Sequence, residues 1–489
     1  MNSGFKSQCI SKCRILTEDQ IKEIHRATLE LLRTTGVQIQ NDEGVELLRD
    51  AGCKVKMDNI VQIPEWLVEQ CIRTAPSQFR MYNRKGEEAM RLGGNNVYFG
   101  LGTDLPKTLD LKTGEVRASC LQDVVNSAVT SDYLEEIDFI ASNALPQEVR
   151  HNMMYIACFK AMVENSVKPI FFTAGGLEDL SFIIEMAAAV VGGEDKLRDK
   201  PFLMHYSEPT SPLRHSYGAV RKLLTCAEKG IPINYTPGML SGATGPVTLA
   251  GGITVANAEA LSGIVLHQLK GKGSPITSGW AVTVMDMITS ISDYGGPIYR
   301  ITMSACADIF HYYGIPMWST AGSSDSHCLD SQAGFEAAFS LLLAALHGAN
   351  LVHDVAYIGN GLIGSPAAIV TCSEIINWVK RYIRGFDISR DRIGMDVIQK
   401  VGPGGNFLSE EQTLRLHLEE HWRPKFLNRD TFETWVEKGS KSYDEVARQK
   451  AIEILESHKP EPLLDEVCRN LDEIFKKAEK ALGDRYFVV

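Results

Sequence analysis

No uninterrupted apolar run in this 489-residue chain reaches the ~18 residues of a membrane-spanning helix. The opening stretch, MNSGFKSQCISKCRIL, lacks the apolar segment of a secretory leader. Cysteine is sparse: eleven residues, odd in number and scattered, which reads as reduced thiols. These three absences set a cytoplasmic location as the expectation. Cys9 and Cys13 form the only close pair, and no further ligands stand at a spacing that would complete a metal site. A positive balance is also missing. With 50 Lys and Arg against 61 Asp and Glu, the net charge is −11, the wrong sign for a nucleic-acid or anionic-membrane binder. No GxGxxG follows the first strand, so dinucleotide binding on an open sheet has no support.

What the chain does have is rhythm. Hydrophobic residues make up 44% and charged residues 23%, enough to build a large core. Apolar runs begin at Val97, Ile137, Pro169, Pro201, Pro232, Pro275, Ile315 and Leu351. Helical periodicity fills the gaps, at 121–134, 149–164, 180–191, 213–228, 252–269, 298–312, 332–346 and 374–384. Strand-helix alternation means parallel strands joined by crossovers, and eight repeats predict a closed (β/α)8 TIM barrel. Residues 1–94 read as an N-terminal helical cap with a small β element, 95–386 as the barrel, and 387–489 as a C-terminal helical extension.

In such a barrel, chemistry sits past the carboxyl ends of the strands. The candidates there are Tyr98, Asp104, Asn143, His205, Glu208, Tyr235, Trp280, His353 and Tyr357, with Tyr206, Asp325 and Asp354 close by. Aromatics and acids recur in this set. An aromatic face beside a carboxylate is what a quaternary ammonium needs, because that cation has no N–H to donate. Lysine is missing from these ends, which counts against Schiff-base chemistry. His353 and Asp354 are sequential, so on a regular strand they point to opposite faces and cannot act as base and orienter. Asp325 is expected to cap the following helix, and SGATGP (241–246) reads either as an anion-binding nest or as a plain loop.

Three long segments carry a resemblance. They are SGATGPVTLAGGITVANAEALSGIVLHQL, SQAGFEAAFSLLLAALHGANLVHDVAYI and VGPGGNFLSEEQTLR…WRPKFLNRDTFETW, and in this order they resemble the trimethylamine methyltransferase superfamily. The resemblance implies a TIM barrel that demethylates a methylated amine and passes the methyl group to cob(I)alamin on a partner corrinoid protein, with no tightly bound cofactor of its own. Founding members use pyrrolysine near strand 7. This chain has standard residues there, with Gln332 taken as the equivalent position, and it has Asn406 and Gln412 where histidines are the pattern. These departures imply the branch that takes quaternary amines, glycine betaine first, with carnitine, proline betaine and γ-butyrobetaine as alternatives. Under that reading Tyr98, Tyr235, Trp280 and Tyr357 cage the ammonium near Glu208 or Asp104. His353, Asn143 or backbone N–H groups of Ser241–Thr244 take the carboxylate, and no residue is assigned as acid or base. Rival readings are a barrel that binds a betaine without turnover and a cofactor-free lyase or isomerase. Self-association is left open.

Overall fold

The computed structural model describes residues 13–482, so Cys9 of the close cysteine pair lies outside the described residues. Short parallel strands form the centre: β1 (Tyr98–Leu101), β2 (residues 139–140), β3 (Ile170–Phe172), β4 (Leu203–Ser207), β5 (Ile233–Tyr235), β6 (Ile276–Ser278), β7 (Trp318–Thr320) and β8 (Leu351–Val355). Each pairs in parallel with the next. β1 reaches β2 through Gly100 and Phe139, β2 reaches β3 through Ile140 and Ile170, and β6 reaches β7 through Ser278 and Met317. Full ladders join β3 to β4, β4 to β5, β5 to β6 and β7 to β8. β8 then pairs with β1, so the ring of pairings closes on itself. This is the (β/α)8 barrel the alternation predicts.

The crossover helices are α1 (Leu121–Tyr133), α2 (Met154–Glu164), α3 (Leu177–Val191), α4 (Tyr217–Lys229), α5 (Leu249–Lys270), α6 (Pro297–Tyr313), α7 (Ser331–His347) and α8 (Pro366–Arg384). Their ends follow local chemistry. Ser216, Asp330 and Ser365 cap α4, α7 and α8 by accepting a backbone N–H in the first turn. Gly348, at φ 72°, ends α7 in the left-handed conformation and turns the chain into β8 three residues later.

Helix α5 is apolar enough, by length and composition, to cross a membrane, yet 72% of its apolar window is buried inside the fold. The reason is packing on both sides. One face lies on the barrel, where Gly263 lets the helix backbone sit against the Tyr235 ring. The other is covered by N-terminal helices Glu18–Thr34 and Glu65–Thr74. A helix that is apolar all round is a buried helix. Each fully buried Leu or Ile on it contributes roughly 1.5–3 kcal/mol.

The N-terminal segment is stitched to the barrel. Thr17 and Gln20 cap the first helix reciprocally. Strands Val37–Ile39, Ile60–Gln62 and Lys54–Val55 form a small sheet, completed by Arg214–His215 from the β4–α4 connection. At the other end of the chain, Tyr443–Ser457 packs on α8 and α1, and Asp465–Leu482 packs on α3 and α2.

Two strand boundaries differ from the sequence reading. β7 runs to Thr320 and β8 to Val355, whereas the apolar runs stop at Trp318 and Val352. The strands continue through the buried polar residues Ser319, Thr320, His353 and Asp354, so hydrophobicity ends before backbone hydrogen bonding does.

Candidate active site

Side chains from strands that are not neighbours can touch only across the barrel interior, and four rings do so. Phe171 of β3 and His353 of β8 lie with centroids 4.6 Å apart. Tyr206 of β4 stacks on His353 at 5.7 Å and 18°, and on Trp318 of β7 at 6.0 Å and 28°. Tyr357, just past β8, meets His353 edge-on at 6.5 Å. Gly102 is what lets the Tyr357 ring approach the end of β1, since a Cβ there would clash with it, and the Tyr357 hydroxyl donates to the Thr103 carbonyl. These rings form an aromatic floor beneath the carboxyl-end mouth. His353 is 3% exposed, and its Nε2 has no hydrogen-bond partner.

Carboxylates ring this floor. Glu208, one residue past β4, accepts the Tyr206 hydroxyl at 3.0 Å. It is exposed to solvent. Asp104, past β1, accepts the Thr173 hydroxyl at 3.1 Å. Asp354 places Oδ1 2.6 Å from His353 Nδ1, a close contact without the alignment of a hydrogen bond. Strand alternation forbids that contact, and the structure shows how it is reached. β8 shifts register between Val352 and Val355, and Asp354 sits at φ 66° with Ala356 at 73°. Non-glycine residues held at positive φ cost about 1–3 kcal/mol each and concentrate at functional sites. The expectation that His353 and Asp354 face apart is thus corrected by a break in the strand.

The electrostatics follow from crowding and burial. Burial pushes Asp104 up to about 6, against the opposing pull of Thr173, Thr103, His353 and Lys222. Glu208 is also raised, first by desolvation from the protein packed around it, with Asp104 and Asp354 adding repulsion and the Tyr206 hydrogen bond and Lys222 opposing it. Burial, reinforced by neighbouring carboxylates, lifts the phenols of Tyr206, Tyr294 and Tyr357 well above their usual range, so their rings stay neutral. Two members of this set come from outside the strands and gave no sequence signal. Tyr294 precedes α6, and its backbone N–H donates to Asp325 at 3.0 Å. Lys222 reaches in from α4 to donate to the Ala174 carbonyl at 2.7 Å, and burial lowers its pKa.

Of the expected residues, Asp104, Glu208, His353 and Tyr357 are brought together. The others are not. Tyr98 is the first residue of β1, at the amino end of the barrel, with its hydroxyl accepting the Arg91 N–H at 2.9 Å. His205 alternates with Tyr206, so it faces the helices, with Nδ1 3.3 Å from the Phe172 carbonyl; burial pushes its pKa well down. Tyr235 likewise faces out, hydrogen-bonded to His215 Nδ1 at 2.8 Å. Trp280 donates to the Thr302 carbonyl at 3.1 Å and packs on Phe310. Asn143 donates to Ser127 of α1 at 3.2 Å. Gln332 is exposed on α7, with its amide 3.0 Å from Glu336. Asn406 and Gln412 make local contacts in the C-terminal segment, to the Leu408 N–H and the Asp391 carbonyl.

The SGATGP loop is a closed turn. The N–H groups of Ala243, Thr244 and Gly245 all point to the Leu240 carbonyl, and that of Gly242 to Gly245. No nest of free donors remains there. Asp325 does not cap α7, a task Asp330 performs. It instead accepts from Tyr294, Gly295 and Asn360, and so joins three mouth loops. Among the described residues no group of three or more His, Cys, Asp or Glu could hold a metal ion. Aromatic faces with carboxylates around them can hold and desolvate an organic cation.

Comparison with known proteins agrees over nearly the whole chain. The family described as trimethylamine methyltransferase (MTTB) matches residues 3–483. The trimethylamine methyltransferase MttB of Desulfitobacterium hafniense (strain DSM 10664 / DCB-2) is 32% identical over 471 residues, covering 96% of this chain and 94% of that protein. The glycine betaine methyltransferase of Desulfitobacterium hafniense (strain Y51) is 29% identical over 479 residues, covering 98% and 99%. Among solved structures, the monomethylamine methyltransferase of Methanosarcina barkeri shares the fold, with a TM-score of 0.50 at 11% identity, covering 99% of this chain and 91% of that one.

Proposed function

Because this chain belongs to the trimethylamine methyltransferase family, we propose that it demethylates a quaternary amine and delivers the methyl group to the cob(I)alamin of a partner corrinoid protein. The observation that carries this reading is the aromatic floor of Tyr206, Trp318 and His353 beneath the carboxylates of Asp104, Glu208 and Asp354. A quaternary ammonium leaves as a neutral tertiary amine once it loses a methyl group, so the transfer needs no proton and no acid or base. The absence of pyrrolysine from the sequence supports the same branch of the family.

In this mechanism the protein binds, orients and desolvates. The ring faces attract the N-methyl groups and set their direction, and the carboxylates balance the charge without donating a proton. Fixing one N-methyl bond in line with an incoming nucleophile is itself worth several kcal/mol of barrier. The nucleophile is supplied by cob(I)alamin on the partner. Glu208 and Tyr206 lie where solvent still reaches, so the mouth is open to an approaching partner. His353 acts as a positioning residue, with Asp354 fixing its ring. The test is to mix the protein with cob(I)alamin and a panel of quaternary amines and to follow the cobalamin spectrum. Conversion to methylcobalamin with at least one of them is expected, and no conversion with any of them overturns the proposal.

A further inference from the structure

A zwitterionic betaine brings a carboxylate into the barrel mouth along with its cation. That carboxylate needs N–H or cationic partners, because an unpartnered buried charge is costly. Most of the donors that the sequence offers are spent. Asn143 donates to Ser127. The backbone N–H groups of residues 242–245 are used within their own turn. His353 lies against the rings of Phe171 and Tyr206, with Asp354 already against its Nδ1, and only its buried Nε2 is left without a partner.

The basic side chains are no freer. Lys222 donates to the Ala174 carbonyl, with Asp179, Glu208 and Asp104 as its acidic surroundings. Arg300 spends Nη1 on the Thr320 carbonyl at 2.8 Å and Nη2 on the Tyr294 carbonyl at 2.9 Å, with its guanidinium 4.3 Å from the Tyr299 ring centroid and only its buried Nε unpartnered. Against these stand Asp104, Glu208 and Asp354, with Asp104 and Asp354 close enough to Glu208 to repel its charge. A further carboxylate arriving there meets repulsion from the same groups.

We infer, building on the methyl-transfer reading above, that the substrate of this site is a net cation: a quaternary ammonium whose remaining substituent is an alkyl or hydroxyalkyl group and carries no carboxylate. Such a ligand meets the carboxylates with its charge, and a hydroxyl on its tail can donate to Glu208 or Asp104. Glycine betaine, the first expectation from the resemblance, is then disfavoured by the same residues.

Calorimetry on the full chain without any corrinoid tests this directly. Tetramethylammonium and choline are expected to bind at least tenfold more tightly than glycine betaine. Glu208→Gln, which removes one opposing charge, is expected to narrow that gap. Glycine betaine binding as tightly as choline, or none of the three binding, overturns the inference. Methyl transfer to cob(I)alamin is measured separately. A clear preference for the cations without methyl transfer removes the methyltransferase reading and leaves the charge preference standing. Transfer from glycine betaine alone removes the charge preference and leaves the methyltransferase reading standing.

Discussion

Glu259 links the fold to the site, and the substitution Glu259→Gln has a calculable effect. The residue lies fully buried in α5, where its two oxygens accept the Ser211 hydroxyl and the Leu213 N–H, both at 2.7 Å. These donors belong to the connection that follows Glu208. Burial raises the Glu259 carboxyl from 4.5 to about 7, with the two hydrogen bonds opposing the rise. Between pH 4.5 and 7 the folded protein therefore holds a proton that the unfolded chain has lost. Stability from this group is fully present below pH 4.5 and is lost as pH rises through about 7. The shift corresponds to roughly 3 kcal/mol at pH 8. A glutamine side chain here would keep both contacts, accepting from Leu213 and donating to a rotated Ser211 hydroxyl, and it would not titrate. The assay is urea unfolding of both proteins from pH 5 to pH 8. The variant minus wild-type difference is expected to move by roughly 2–3 kcal/mol in the variant's favour as pH rises, because other titrating groups cancel in the subtraction. A difference that stays flat over this range, or falls, refutes the assignment of Glu259 as a buried, proton-holding clamp.

Asp104 is raised to about 6, so it becomes charged as pH increases through that value. Affinity for a cationic amine is expected to improve over pH 5 to 7, and Asp104→Asn to flatten that change by roughly three- to tenfold, read from KM against pH. Tyr206→Leu keeps bulk but removes the ring face, and a lost cation–π contact of about 1–2 kcal/mol is expected to raise KM roughly tenfold. Tyr235→Phe serves as the contrast. It breaks the bond to His215 and is expected to cost about 1 kcal/mol in urea unfolding with KM unchanged, since Tyr235 faces the helices.

The fold was largely legible because its signals are strong and local. Apolar runs and helical periodicity mark each repeat, and α5 with its glycines and alanines reads as a helix over nearly its whole length. The site was legible only in part, for three physical reasons. Most of the barrel strands are only two to four residues long, so which of two adjacent side chains points inward depends on a register the sequence does not state. His205 is a candidate by its place near a strand end, yet its neighbour Tyr206 is the one whose ring reaches the interior, and Tyr235, expected in the cage, faces out. Tyr98 was assigned to the wrong end of a four-residue strand. The His353–Asp354 contact needs a positive φ at Asp354, a break that no periodicity reveals. Lys222 and Tyr294 arrive from a helix and a loop, where lysine and tyrosine are ordinary. Glu208 and Asp104 were recoverable because a carboxylate directly after an apolar strand is costly unless a site uses it.

The most direct test of the account follows the methyl group itself. The full chain is mixed with cob(I)alamin and a quaternary amine bearing deuterated N-methyl groups, and the cobalamin is analysed by mass spectrometry, with Glu208→Gln and Tyr206→Leu run alongside. The account predicts deuterated methylcobalamin and the matching tertiary amine in equal amounts, with a slower rate at low substrate in both variants. Unlabelled cobalamin with the quaternary amine intact, or label transfer indifferent to both substitutions, would contradict it.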